Sequence, residues 1–231
     1  MIPLKDDLPT RSAPAVTVAL IAINVLVFLY QASLQIDSGG EGAAQAFAME
    51  FGLVPCRLTG SCHIADDLPS PLFTVFSSMF LHGSFFHIAG NMLYLWIFGN
   101  NVEDTLGHVR YLFFYLASGV AAAGMQTVVD QHSRVPMIGA SGAISGVLGA
   151  YLLLFPQAKV LTLVIFGFFW RLLSIPAVVV LGFWIVVQLV SGLGALGAGG
   201  GVAWFAHIGG FVAGMALVWV FRPRSPLRPW S

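Results

Sequence analysis

The stretch Gly139–Gly146, GASGAISG, places two serines and three glycines directly before the apolar run VLGAYLLLF. Serine and glycine in membrane helices most often serve close helix packing, and Gly142 and Gly146 form a GxxxG pattern. A serine hydroxyl can also act as a nucleophile when a neighbouring base removes its proton. The rest of the chain has to decide between these two interpretations.

The composition indicates an integral membrane protein. Of the 231 residues, 58% are hydrophobic and only 9% are charged, whereas soluble domains carry about 25% charged residues. The formal net charge is zero, so no polyanionic partner and no nucleic acid is predicted. Apolar sequence continues to residue 221, which favours a retained first membrane span over a cleaved signal peptide.

The hydrophobic pattern predicts one all-α membrane domain over residues 1–231, built as a six-helix bundle. A helix needs about 20 apolar residues to cross a bilayer. The fourth predicted helix is short, roughly 22 Å long at 1.5 Å per residue, and is expected to lie partly sunken below the membrane surface. The predicted spans are Ala15–Ala32, Phe80–Phe98, Tyr111–Val129, Ser141–Phe155, Leu172–Val190 and Val202–Phe221.

The distribution of cations predicts that both termini are cytoplasmic. An even number of spans places both termini on one side, and cytoplasmic segments carry an excess of Lys and Arg. In this orientation only Arg57 and Arg134 lie outside, and the inner side holds Lys5, Arg11, Arg110, Lys159, Arg171, Arg222, Arg224 and Arg228. We therefore expect a multi-pass protein of a bacterial inner (plasma) membrane.

Two connecting segments stand out. The predicted outer loop, residues 35–71, contains Cys56 and Cys62. These cysteines would face an oxidising compartment, where a disulfide and two separate thiols are both open alternatives. The segment Gly192–Gly201 is glycine-rich and is predicted to be a mobile connection. No zinc-ligand spacing is present, and neither a metal nor a cofactor is predicted.

Polar side chains recur at one depth of the predicted bundle. Spans two, four and six run in the same direction, and His87, Ser141 and His207 each lie near the start of one of them. Asn91 follows His87 by four residues and shares its helix face. Polar groups inside a membrane usually face a bundle interior or a water-filled cavity. The sequence therefore predicts a shared polar pocket that opens to the outer side.

The chemistry of these groups is complementary. A histidine can take the proton of a serine near neutral pH, so Ser141 and His207 are candidates for nucleophile and base. His87, Asn91 and the first backbone N–H of the helix could stabilise an oxyanion. The glycines beside Ser141, at 139 and 142, would allow close approach of a substrate backbone. Water would reach the site if residues 130–138 dip inward.

The remaining polar and glycine residues have structural interpretations. The GxxxG pairs Gly142/Gly146 and Gly210/Gly214 are predicted to bring spans four and six into close contact. Glu103 and Asp104 are predicted to order the inner loop between spans two and three. Four histidines are placed in loops or at the interface without a role: His63, His82, His108 and His132.

Over residues 72–221 the sequence resembles the rhomboid family of intramembrane serine proteases. The similar motifs are GASG around Ser141, AHIGGFVAG from Ala206, HGSFFHIAGN from His82 and NNVED from Asn100. The resemblance implies a Ser141–His207 dyad without a carboxylate, an oxyanion pair of His87 and Asn91, and supporting backbone at Gly139, Gly142 and Gly210. It implies cleavage of single-span membrane proteins that enter beside span five, under a flexible cap such as Gly192–Gly201. The oligomeric state is left open.

Two positions depart from the family pattern. Phe73–Thr74 stands where many members carry a Trp–Arg pair, which concerns the fold of the outer loop. Ser145 stands where an aromatic ring often packs on the base histidine, so that span four would support His207 less well or Ser145 would form a local hydrogen bond.

Two other functions are alternatives to proteolysis. The first is a catalytically weak or inactive rhomboid-like binder of membrane helices, against which the complete Ser–His pair speaks. The second is a small transporter that moves protons through His87 and His207. It would need charged or unwound spans and an inverted repeat, neither of which the sequence displays.

Overall fold

Helices make up most of the chain in the computed structural model, which describes residues 1–37, 42–195 and 202–223. In chain order the helices are α1 Ala15–Asp37, α2 Gly42–Phe51, α3 Pro55–Leu58, α4 Pro71–Ser77, α5 Phe85–Leu106, α6 His108–Val129, α7 Ser141–Leu154, α8 Ala177–Ala195 and α9 Trp204–Phe221. A 3-10 turn, Ser78–Phe80, follows α4. The predicted outer loop thus contains two short helices, α2 and α3.

Helix length distinguishes the membrane spans. Within the described ranges, four helices are long and apolar enough to cross a bilayer: α1, α6, α8 and α9. The segment Pro71–Phe80 and α5 are bent by 82° and together pass the same test, which gives up to five spans. Helix α7 is apolar but shorter, with 14 residues. The chain is therefore a mostly helical membrane protein, with four to five spans by this measure.

The second predicted span is displaced along the chain. It begins at Phe85 instead of Phe80 because Ser84, in extended conformation, caps α5 by accepting from the His87 backbone N–H at 3.1 Å. Such a cap satisfies one of the N–H groups that a helix start leaves unpaired. The helix continues to Leu106. Glu103 and Asp104 consequently lie in its last turn and not in a loop.

The all-α prediction is wrong, because an antiparallel three-stranded sheet is present in the order β1 Ile2–Asp6, β2 Lys159–Phe166 and β3 Phe169–Pro176. The fifth predicted helix starts at Ala177 and not at Leu172. The residue before a proline is disfavoured in helical conformation, so Pro176 separates strand from helix. Gly167, with φ +58°, supplies the turn between β2 and β3.

Buried carboxylates tie the N-terminal segment to the helices. The Asp6 side chain accepts from the Tyr151 hydroxyl at 2.7 Å and from the Asn101 amide. Burial raises the pKa of the Asp6 carboxyl, while these two hydrogen bonds lower it. Glu103 accepts from the backbone N–H groups of Val16 and Thr17, both at 2.8 Å. We call this end of the bundle the sheet end.

Glu103 also orders the junction between α5 and α6, as predicted. Its carboxylate lies 2.6 Å from Nδ1 of His108, which is the first residue of α6 and not a loop residue. Asp104 accepts from the Ser12 backbone N–H at 3.0 Å and from Arg11 at 3.2 Å. The two acids therefore anchor α1 as well as the junction, a function that the prediction missed.

The predicted contact between the GxxxG helices is confirmed, since α7 packs on α9 backbone to backbone. A Cβ atom added at Gly210 would lie 2.1 Å from the Gly142 carbonyl oxygen, and one added at Gly214 would lie 2.0 Å from that of Gly146. Only glycine permits this separation. The contact sets the position of α7, which begins at Ser141, relative to α9, which carries His207 in its first turn.

Candidate active site

Ser141 and His207 form the centre of the site. Oγ of Ser141 lies 2.8 Å from Nε2 of His207, within hydrogen-bond distance. Each residue lies in the first turn of its helix, and the glycine contacts between α7 and α9 hold the two helix starts together. The structure thus brings together the two residues that the sequence analysis paired.

A third residue, Gln188 of α8, determines which nitrogen of His207 carries the proton. Its Oε1 lies 2.7 Å from Nδ1 of His207, and its Nε2 donates to the Trp184 carbonyl at 3.3 Å. An amide oxygen only accepts, so Nδ1 holds the proton and Nε2 is left to accept from Ser141. This group was not predicted, because nothing in the local sequence relates position 188 to position 207.

Two indole rings enclose the His207 imidazole. The ring centroids of Trp184 and Trp204 lie 6.0 and 6.2 Å from that of His207. These rings come from α8 and α9 and not from α7, where Ser145 stands in the place of the aromatic residue. The alternative expectation for Ser145 is confirmed, because its hydroxyl donates to the Ser141 carbonyl at 2.6 Å.

The residues His87 and Asn91 line the same cavity from α5. Nδ2 of Asn91 lies 2.9 Å from Nε2 of His82, and the His82 and His87 rings are 5.0 Å apart. His82 is 2% exposed, so it lies inside the protein, where the sequence analysis gave it no function. It is a buried partner of Asn91, and its nine-residue distance from Asn91 across a helix start explains why spacing did not reveal it.

A cavity of about 530 Å³ joins these groups. Its lining includes Ser141, His207, His87, Asn91, Gln188 and Trp184. Met137 to Gly139 form part of the wall, in the non-helical connection between α6 and α7. This cavity is large enough to hold part of an extended peptide together with water.

Gly139 shapes the wall beside the serine. Its φ of +128° is a conformation that favours glycine, and its N–H donates to the Ser78 carbonyl at 2.9 Å. A Cβ atom at this position would lie 2.8 Å from Nε2 of His87. Gly139 therefore holds the connection against the 3-10 turn and leaves room for the His87 ring.

The segment that contains the cysteines supports the same wall. Cys56 and Cys62 form a disulfide, which decides between the two alternatives left by the sequence. The Cys56 N–H donates to the Ser133 carbonyl at 3.0 Å, and Leu53 pairs with Met137 as an isolated bridge. Residues 53–62 are thus hydrogen-bonded to the connection that leads into Ser141.

Other residues order the chain around Phe73–Thr74, where many family members carry a Trp–Arg pair. Ser70 caps α4 by accepting from the Phe73 N–H at 3.2 Å, and Thr74 is buried. The Arg57 guanidinium donates to the Pro69 carbonyl at 2.7 Å. The Phe73–Thr74 departure is therefore accommodated inside a capped helix.

The structure describes only part of the predicted mobile connection Gly192–Gly201. Gly192 to Ala195 are the last residues of α8, whereas residues 196–201 of the predicted mobile connection lie outside the described residues.

Across residues 1–37, 42–195 and 202–223, no three His, Cys, Asp or Glu side chains are grouped closely enough to hold a metal ion.

Comparison with known proteins identifies relatives of this chain. A family model described as "Rhomboid domain" matches residues 69–224. "Rhomboid protein 1, mitochondrial" of Saccharomyces cerevisiae is 30% identical over 163 residues, covering 68% of this chain and 44% of the relative. "Rhomboid protease GluP" of Bacillus subtilis is 29% identical over 204 residues, covering 88% of this chain and 35% of the relative.

A plant relative, "RHOMBOID-like protein 1" of Arabidopsis thaliana, is 32% identical over 155 residues, covering 66% of this chain and 35% of the relative. The chain thus spans less than half the length of each of these three relatives. The region that the family model matches, residues 69–224, contains Ser141, His207, His87, Asn91, Gln188 and Trp184.

Proposed function

The chain belongs to the rhomboid family, and from that premise we propose that it is an intramembrane serine endopeptidase. The observation that carries this proposal is the 2.8 Å contact between Ser141 Oγ and His207 Nε2. One relative bears the name of a protease. The proposed substrates and partners follow from the family resemblance together with the residues that line the cavity.

In the proposed reaction, Ser141 Oγ attacks the scissile carbonyl while its proton passes to His207 Nε2. The imidazolium is stabilised by Gln188, which accepts from Nδ1. His207 then gives its proton to the leaving amine, which releases one peptide and leaves an acyl-serine. A water molecule activated by the same nitrogen hydrolyses the acyl-serine. The catalytic pair is thus a dyad positioned by an amide.

The proposed oxyanion site faces Ser141 from α5. Nδ2 of Asn91 has two hydrogens, and the contact with His82 uses one of them. We assign the second hydrogen to the oxyanion, together with the His87 ring and the Ser141 N–H. The Ser141 N–H suits this purpose because the first N–H groups of a helix lack an intrahelical acceptor. Gly139, Gly142 and Gly210 keep the backbone close enough for these contacts.

The proposed membrane arrangement follows from the charges and the cavity. Both termini and the sheet end face the cytoplasm of a bacterium, and the cavity opens to the outer side of the plasma membrane. In this arrangement residues 1–231 form one domain of six spanning segments, with the short α7 beginning below the outer surface. No cofactor takes part in the reaction.

The proposed substrates are single-span membrane proteins that enter beside α8. A segment rich in helix-breaking residues would unwind most readily into the cavity and present an extended peptide bond. Lipid surrounds both enzyme and substrate.

A fluorophosphonate probe tests the proposal directly. It phosphonylates a serine only when a base activates that serine, so wild type should be labelled, and Ser141→Ala and His207→Ala should not. Labelling that survives in both variants would refute the dyad. A wild type that remains unlabelled, and that still binds single-span proteins in liposomes, would favour the inactive binder of membrane helices.

Removing the Gln188 acceptor should slow cleavage by about tenfold to a hundredfold, because a hydrogen bond to the charged imidazolium contributes about 1.5–3 kcal/mol. We expect this loss in Gln188→Met, which fills the same volume but cannot accept from Nδ1 of His207. The measurement is kcat for a transmembrane reporter in liposomes across pH, since the loss of Nδ1–H stabilisation should shift the pH profile of kcat.

The matched control is Gln188→Glu, which keeps an acceptor at the same position and is expected to cleave faster than Gln188→Met. A Gln188→Met variant that cleaves at the wild-type rate with an unchanged pH profile would show that Gln188 only fills space.

Removing the Asn91 donor should lower kcat by roughly 10²–10³, the usual cost of one oxyanion donor. We expect this result for Asn91→Asp, which keeps the side-chain size but has no N–H to donate. The measurement is single-turnover cleavage of the same reporter. An Asn91→Asp variant that cleaves within a factor of a few of wild type would exclude Asn91 from the oxyanion site.

A further inference from the structure

The β2–β3 hairpin ends in an exposed aromatic tip, which we define as residues 165–173. Phe168 at the turn is fully exposed, and the neighbouring Phe166, Phe169 and Trp170 are 83%, 79% and 72% exposed. Contiguous apolar surface of this kind marks an interaction site. Neither catalysis nor the packing of the helices uses these side chains.

The tip projects beyond the support of the third strand. Strand β1 pairs with β2 only as far as Ile2, which lies opposite Leu163. From Val164 to Arg171 the hairpin consists of two strands only, and its last pair is Phe166 with Phe169. An isolated two-stranded hairpin is only marginally stable in water. The projecting part therefore requires a partner that covers apolar side chains.

The strand that carries the tip leads directly into a membrane helix. Strand β3 ends at Pro176, and α8, a candidate membrane span, begins at the next residue. Leu172 and Leu173 at the end of the tip are 58% and 44% exposed, and Val178 and Val179 at the start of α8 are 42% and 49% exposed. The base of the hairpin consequently lies where a membrane helix leaves the bilayer.

The composition of the tip fits the lipid interface. Tryptophan is enriched at the boundary between lipid and water, and Arg171 is the one charged residue between Leu161 and Ser174 in the sequence. Its guanidinium can reach phosphate headgroups while its alkyl chain covers apolar surface. No acidic residue between these positions would oppose an anionic headgroup.

The backbone limits how deeply the tip can insert. Strand β3 is at one edge of the sheet formed by the described strands. Its outward N–H and C=O groups need water or polar headgroups, because an open sheet edge is not tolerated in the hydrocarbon core. The aromatic side chains can enter the acyl boundary only while the strand itself stays at the headgroup level.

We propose that residues 165–173 insert into the headgroup region of the bilayer at the sheet end and anchor α8 there. The partner is the lipid surface, not a second copy of the chain or a soluble protein. The anchor is independent of the proteolytic activity proposed above.

Spin-label accessibility tests this anchor in the full chain. Phe168→Cys is labelled and reconstituted into liposomes of phosphatidylcholine and phosphatidylglycerol. Lys5→Cys, on exposed β1 of the same sheet, is the matched control. The native cysteines are paired with each other, so each variant offers a single thiol. Circular dichroism and gel filtration check that both variants are folded.

We expect collisions with oxygen to exceed collisions with a water-soluble nickel chelate at position 168, by a ratio several-fold higher than at position 5. Equal ratios at the two positions would place the tip in water and overturn the proposal. A label at position 168 that is shielded from both reagents would mean that protein covers the tip, which would overturn it as well.

Discussion

Replacing Ser141 by alanine is expected to lower cleavage of a transmembrane reporter by at least about 10⁴-fold, because the attacking oxygen is removed. His207→Ala should cause a loss of the same order, since its Nε2, 2.8 Å from Oγ, is the proposed proton acceptor. The double variant should be no slower than either single variant, because the two residues act as one unit. Initial rates in liposomes measure all three.

Ser145→Ala is the matched control for Ser141→Ala. It makes the same chemical change one turn further along α7, where the hydroxyl only donates to the Ser141 carbonyl. A serine hydroxyl that bonds to the carbonyl four residues earlier affects helix stability only slightly. We therefore expect Ser145→Ala to retain substantial activity. If Ser145→Ala is inactive and Ser141→Ala is active, then Ser145 and not Ser141 is the nucleophile.

Replacing Gly214 by alanine is expected to destabilise the protein by about 3 kcal/mol, the upper part of the usual range for overpacking. The added Cβ would lie 2.0 Å from the Gly146 carbonyl oxygen and 2.4 Å from its Cα. Both atoms are backbone, so only a shift of the whole helix relieves the clash. Since α7 carries Ser141 and α9 carries His207, cleavage should fall as well. Thermal unfolding in detergent micelles measures the stability.

Gly124→Ala is the control for this substitution. Gly124 also lies within a helix, α6, but a Cβ atom there would meet nothing within 4 Å. We expect unchanged or slightly raised stability, because alanine is the better helix former. If Gly214→Ala unfolds at the same temperature as Gly124→Ala, then α7 and α9 do not depend on the glycine contact.

Some features of this protein follow from local sequence. The membrane class depends on composition alone, and helix starts near residues 141 and 204 follow from apolar runs. Helical spacing explains why Gly142/Gly146 and Gly210/Gly214 lie on packing faces. Ser141 and His207 could be paired from sequence because each lies at the start of a helix. Their similar depth in the bundle was enough to suggest a contact.

The hairpin shows where local sequence misled. Residues 159–176 are as apolar as a membrane helix, and hydropathy alone merged their last part with α8. What makes them strands is the pairing of Lys159 through Phe166 with Phe169 through Pro176, together with β1 from the other end of the chain. Hydropathy does not record such pairing.

The surroundings of the dyad were decided only by the tertiary structure. Gln188 reaches His207, and His82 meets Asn91, because of how α8 and α5 are rotated and how the chain bends at Ser84. A helical period states which residues share a face of one helix, but not which face a neighbouring helix presents to it. Sequence alone therefore indicated the membrane class and the reactive pair, whereas the groups that orient that pair depend on contacts between separate helices.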